Sequence, residues 1–142
     1  MKKTVVMGVI ALALTAALVT GCATGGPTLS DEEMVELQLE QWSQGLVEHD
    51  MDKFLGTISE SFSARQAPDK ETLAGFIEQA IDAGYIEEAE VVTEDAQFTI
   101  ENGVCSVYPV DLMSIAGSVA VELTFTKEDG TWLVTGMDVD GI

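Results

Sequence analysis

Ser118-Val119-Ala120-Val121-Glu122-Leu123-Thr124-Phe125-Thr126 runs into Lys127-Glu128-Asp129-Gly130, and Thr131-Trp132-Leu133-Val134-Thr135 runs out of it. Val119, Val121, Leu123 and Phe125 alternate with Ala120, Glu122, Thr124 and Thr126, the two-residue period of a strand with one apolar face. The glycine-bearing turn reverses the chain, and the return strand extends to about Asp138. A sheet with one greasy face must bury it, so the rest of the chain is read for its cover.

Upstream, the period changes to that of helices. Ser30-Asp31-Glu32-Glu33 is a capping-box start: Ser30 can accept from the Glu33 amide, Glu33 can return the bond, and the acids suit the positive helix end. Val35, Leu39, Trp42 and Leu46 follow at helical spacing, with Met34 and Leu37 widening the stripe, and the helix is expected to reach about Glu48. Asp50 caps a second helix from Met51 to about Ile58, which buries Phe54, Leu55 and Ile58. A loop from Ser59 to Pro68 carries Phe62 as its one large apolar anchor. Pro68-Asp69 opens a third helix to about Ala83, with Leu73, Phe76, Ile77, Ala80 and Ile81 on one face and Gly84 as its left-handed stop.

Strands are then expected over Ala89–Thr93, Ala96–Glu101 and Val104–Leu112, with Asn102-Gly103 as a tight hairpin turn. Pro109 demands an edge or a bulge, because it has no amide hydrogen to give a sheet. Three helices followed by antiparallel strands make an α+β class with the helices on one face.

The beginning of the chain is separate from this domain. Met1-Lys2-Lys3 precedes an uncharged run from Val5 to Val19, about 15 residues, too short to span a bilayer as a helix. It ends in Val19-Thr20-Gly21-Cys22, which resembles the lipobox of bacterial lipoproteins. That resemblance implies a signal peptide over 1–21, lipidation of Cys22, a linker over 22–29 and a folded domain over 30–142. It implies a membrane anchor through acyl chains at Cys22 and an extracytoplasmic domain in a bacterial envelope. Ala23, rather than an aspartate, after the cysteine implies the outer membrane in a Gram-negative cell. Cys105 is the remaining thiol, in an apolar strand where it reads as a buried small hydrophobe.

Without the two leader lysines, four basic residues face 25 acidic ones, a formal charge of −21. Such a surface repels nucleic acid, which is excluded as a partner. The acids are scattered, with no calcium-loop spacing. One histidine, His49, at a helix junction, and no Cys/His cluster leave no expectation of a metal or cofactor.

Trp42, then His49-Asp50 with Asp52, then Ser59-Glu60-Ser61-Phe62, a third helix, and strands closing on Lys127-Glu128-Asp129-Gly130, Trp132 and Val134 resemble the nuclear-transport-factor-2-like superfamily, whose members include SnoaL-like and ketosteroid-isomerase-like proteins. The resemblance covers nearly all of the chain after Cys22. It implies a cystatin-like cone, three N-terminal helices packed on a strongly curved antiparallel sheet, with a cavity at one end. The candidate pocket residues are Trp42, Phe54, Phe62, Phe76, Tyr108, Asp111 and Trp132.

An isomerase on this fold needs a carboxylate base and an oxyanion donor. Asp111 and Asp138 are the candidate acids and Tyr85 and Tyr108 the candidate hydroxyls, but the family's first-helix tyrosine is absent and Trp42 stands on that helix. Strand parity puts Tyr108 and Asp111 on opposite faces. The leading expectation is therefore non-catalytic binding of a small apolar ligand or a protein partner. The alternatives are an isomerase- or dehydratase-like enzyme for a small hydrophobic compound, and an assembly module whose fairly neutral outer sheet face, including Ala120, Glu122, Thr124 and Thr126, pairs two copies as a homodimer.

Self-repulsion among the acids has a direct readout. The melting temperature of the mature chain should rise between low salt and about 0.5 M NaCl, as screening shortens to a few ångströms. A flat or falling curve in a thermal melt series would remove repulsion as a significant term.

Overall fold

A computed structural model describes residues 28–140 of the protein. The expected signal peptide, Cys22 and most of the expected linker lie outside the described residues, as do residues 141 and 142.

Helix α1 spans Asp31–Val47 and begins as its sequence dictates. The Glu33 amide donates to Ser30 Oγ at 3.2 Å, and the Ser30 amide donates to Glu33 Oε2 at 2.7 Å. Val35, Leu39, Trp42 and Leu46 are buried. Leu37 does not widen the stripe; it is half exposed. Two residues from both Val35 and Leu39, it is turned by about 200° away from them. Gly45 is buried where the next helix crosses, and a Cβ there would meet the Phe54 backbone nitrogen at 2.6 Å.

Helix α2 is shorter than expected, Met51–Leu55, with the Lys53 amide bonded to the Asp50 cap at 3.1 Å. The chain leaves it early to satisfy the sheet. Ile58 forms a parallel bridge to Val134, and the Ser59 and Ser63 amides donate to the carbonyls of Val134 and Thr135 at 2.9 and 3.1 Å. An otherwise open sheet edge is thus covered. Helix α3 spans Lys70–Asp82, capped by Asp69, with Leu73 and Ile77 buried but Phe76 half exposed.

The strands are β1 (Glu90–Val92), β2 (Gln97–Glu101), β3 (Val104–Ser114), β4 (Gly117–Glu128) and β5 (Thr131–Val139). All pairings are antiparallel; β4 lies between β3 and β5, and β1 and β2 share the far side of β3. The Asn102-Gly103 and Asp129-Gly130 turns have positive φ throughout, as tight hairpins require.

Two register shifts set the shape. Pro109, after a cis bond from Tyr108, lies in a shift between Val107 and Val110 on β3. A second shift skips Thr135 on β5, where Phe125 faces Val134 and Thr124 faces Gly136. Both flank Leu123 on β4, so the sheet bends along one line across three strands. On one side of it, Cys105, Val107, Phe125, Trp132 and Val134 fill a solid core with α1 and Phe62. On the other, Leu112, Val119, Val121, Met137 and Val139 point the same way but stand farther apart from the helices.

The start of α1 is pinned to the β4–β5 end. Asp31 accepts from Lys127 Nζ at 2.9 Å and from Trp132 Nε1 at 3.2 Å, two bonds that hold its carboxyl below the usual carboxylate range.

Two glycines test this packing in opposite directions. Gly45→Ala should cost about 1–3 kcal/mol by driving α2 off α1. Gly75→Ala, inside α3 with nothing within 4 Å of its Cβ, should gain about 0.5–1 kcal/mol from reduced chain entropy. Urea denaturation of the two variants reads both values.

Candidate functional site

The open half of the cone holds a cavity of about 320 Å³ between α1, α3 and the far ends of β3, β4 and β5. Trp42 and Leu46 of α1, Phe54 of α2, and Ile77 and Ala80 of α3 form one wall. Leu112, Val119, Val121, Met137 and Val139 form the sheet wall. Exposed Phe76, Tyr85, Ala116, Gly117 and Ser118 rim the mouth, with Ser114 half-buried beside them.

Among the expected pocket residues, the structure brings Trp42, Phe54 and Phe76 together on this cavity. Trp42 and Phe54 pack against each other with ring centroids 5.9 Å apart. Phe62 and Trp132 are buried in the solid half and do not line the cavity.

Tyr108 and Asp111 are on the outer face. Strand parity predicted opposite faces, but the shift at Pro109 inserts an extra residue, so both stand opposite to the inward Val107 and Val110. The Tyr108 hydroxyl donates to Asp140 at 2.6 Å, and that bond, reinforced by the Asp140 charge, raises the phenol above its ordinary value. Asp138 faces outward too, opposite Glu122 in the register and 4.0 Å from Arg65. The outer face is therefore not neutral: Asp111, Glu122, Asp138 and Asp140 stand on it among the threonines.

None of the 25 acidic residues lines the cavity, and neither do the lysines, arginine or histidine of the described residues. His49 is engaged elsewhere, its Nε2 3.0 Å from the Ile86 carbonyl oxygen, tying the α1–α2 junction to the chain after α3. Polar side chains on the lining come from Trp42, Tyr85, Ser114 and Ser118. Among the described residues, no group of three or more His, Cys, Asp or Glu side chains could hold a metal ion. Nor is any described helix long and apolar enough to cross a membrane.

Comparison with solved structures settles the architecture. A protein of unknown function with a cystatin-like fold from Nostoc punctiforme superposes with a TM-score of 0.64 at 14% identity, over 80% of this chain and 93% of that one. A nuclear-transport-factor-2-like protein of unknown function from Pseudomonas putida gives 0.65 at 11%, over 80% and 88%. This is the nuclear-transport-factor-2-like fold. A de novo designed protein with a curved β-sheet also matches, with a TM-score of 0.57 at 14% identity, over 75% and 99%. No family model and no curated protein matches the sequence.

Sequence reasoning missed the sheet wall and the β3–β4 rim. Val119 and Val121 were legible as inward positions, whereas Leu112 and Val139 face inward only because each follows a register shift that reverses strand parity, and the signal that these residues border open space lies in the same bend. Cys105 follows its sequence reading: it is fully buried, and burial, together with the nearby Glu32 charge, pushes its thiol up to about 11. The native protein at pH 8 should leave Cys105 unlabelled by iodoacetamide over hours, and urea should expose it to full labelling. Peptide mass spectrometry of the Cys105 segment reads both states.

Proposed function

We propose that this domain is a non-catalytic receptor for a small, uncharged apolar molecule, carried on a lipid anchor at Cys22 in a bacterial envelope. The observation that supports it is the cavity wall. It is built from aliphatic and aromatic side chains and has no carboxylate, imidazole or amine that could move a proton. Asp111 and Asp138, the bases an isomerase would need, stand outside the cone, which removes the support for the enzymatic reading. At about 320 Å³ the cavity sits at the small end of ligand sites.

An anionic ligand is disfavoured on charge. Lys53, Arg65, Lys70 and Lys127, the four basic residues after the leader, each have a carboxylate within 4.0 Å. Nothing positive is left near the mouth to offset the surrounding acids.

On this reading, a tether ahead of Ser30 and the cavity mouth belong to opposite ends of the cone. Asp31 is held at the β4–β5 turn, whereas the cavity opens at the β3–β4 turn, and β4 between them has 12 residues, about 40 Å along the strand. From Cys22 to Ser30 the chain reaches at most about 28 Å. An anchored domain therefore presents its mouth away from its own membrane and meets its ligand from the aqueous side. Pairing of two copies across the outer face would oppose Glu122 and Asp138 to their own kind, so a monomer fits this reading.

Native mass spectrometry of protein purified from its own envelope should show a mature chain starting at acylated Cys22 and carrying a retained small molecule. Ala80→Trp, which fills the cavity from α3, should abolish the retained mass while leaving the far-UV circular dichroism unchanged. A wild-type chain that carries nothing, or an Ala80→Trp chain that keeps the same adduct, would overturn the cavity as the receptor.

A further inference from the structure

The two edges of the sheet differ. The β5 edge is closed by the chain between α2 and α3: the Val134 amide donates to the Thr57 carbonyl at 2.8 Å, and the Ser59 and Ser63 amides donate to the Val134 and Thr135 carbonyls. The β2 edge has no such cover among the described residues, because β2 pairs with β3 alone. Counting back from the tight Asn102-Gly103 turn, Glu101, Thr99 and Gln97 bond to β3, which turns the amides and carbonyls of Phe98 and Ile100 outwards. An unpaired edge of this kind is a template for another strand.

Beside this edge lies a groove of about 340 Å³ between α1 and the β1–β2 segment. Buried Leu39 and half-buried Val91 and Phe98 give it an apolar lining, and exposed Glu36 and Glu40 line its α1 side. Glu40 accepts from the neutral Gln44 side chain at 3.0 Å. The four basic residues after the leader pair with other carboxylates, and no lysine or arginine lies between Lys70 and Lys127. On the strand side, Glu90, Glu94, Asp95 and Glu101 add further negative charge.

We propose that this groove docks an extended segment of a second protein in which lysine or arginine recurs at every second position. The segment adds to β2 as an antiparallel strand, like every other pairing in the sheet, and bonds to the outward groups of Phe98 and Ile100. Residues opposite Phe98 and Ile100 share their inner face, the one turned towards α1. A long basic side chain suits that side: its aliphatic stem covers Leu39 and Phe98 while its charged end meets Glu36 and Glu40. An apolar or acidic strand would leave those carboxylates without a partner and strip part of their water. A second copy of this chain is a poor occupant, because edge-to-edge pairing would gather the acids of both edges. The groove shares no lining residue with the cavity, so this inference stands apart from the receptor reading.

The probe is the peptide acetyl-Thr-Lys-Thr-Lys-Thr-Lys-Thr-amide, compared with the same peptide N-methylated on its lysine amides, which keeps the charge and removes the strand bonds. Titration calorimetry at low salt should show the plain peptide binding the wild-type protein and the N-methylated one binding far more weakly. Glu36→Gln with Glu40→Gln should weaken the plain peptide about 3- to 10-fold, the worth of two exposed ion pairs. Glu71→Gln with Glu78→Gln, an equal loss of charge on α3, should weaken it by less than about 2-fold. Hydrogen exchange at the Phe98 and Ile100 amides should slow when the plain peptide is bound. If the N-methylated peptide binds as well, or the α3 variant loses as much as the α1 variant, the attraction is general charge and the docking site is overturned. Exchange left unchanged at both amides overturns it too. So does protection of those amides in the free protein that grows with its concentration, which would make a second copy the occupant.

Discussion

The bend along Leu123 governs everything else in this molecule. A strand alternates its side chains strictly, so a flat sheet would offer one continuous greasy face and the helices would lie on it without a gap. The shifts at Pro109 and Thr135 flank the same residue of β4 and curl the sheet around α1. Close to α1's beginning the curl is filled by Val107, Phe125, Trp132 and Val134; towards its end the same curl leaves the cavity. One geometric device thus makes both the core that holds the fold and the cavity beside it. Thr135, left over by its shift, bonds its hydroxyl to that of Thr126 at 2.8 Å, so its polar group is not stranded.

The bend also depends on α1 staying in place, and α1 is fixed at both ends. Its start is clamped by Asp31 to Lys127 and Trp132, nearly the full length of the domain away in sequence. Its end is fixed by Gly45, whose missing side chain lets the Phe54 backbone sit against it. Closing such long loops costs entropy only once, and the clamp then works with the buried stripe between its ends. Removing either end would let the helix tilt within the curl, and the cavity wall that Trp42 and Leu46 provide would shift with it.

Local patterns were legible in the sequence; their joint consequences were less so. Ser30-Asp31-Glu32-Glu33 and Asp69 announced their helices, Asn102-Gly103 and Asp129-Gly130 announced their hairpins, and the structure has all four. Pro109 announced a bulge, but not that it would carry Tyr108 and Asp111 to one face, because the parity after a bulge depends on which residue is skipped. The shift at Thr135-Gly136 had no proline to mark it. Phe76 lies on the apolar stripe of α3, yet it is half exposed because the sheet has curved away beneath it. Periodicity reports the direction of a side chain and is blind to whether anything waits there. The candidate residues divide for a physical reason: Trp42, Phe54 and Phe76 line the cavity, Phe62 and Trp132 fill the solid half, and Tyr108 and Asp111 stand on the outer face.

A designed protein with a curved sheet shares this architecture, so the cone itself demands no ligand and implies no reaction. What distinguishes this chain is how it distributes polarity. It has 25 acidic residues and puts none on the cavity wall. A carboxylate there would either be desolvated at high cost or take up a proton and become a working acid. With every one of them off that wall, the chain's negative charge stands where water can solvate it, and the wall is left to side chains that need no solvation.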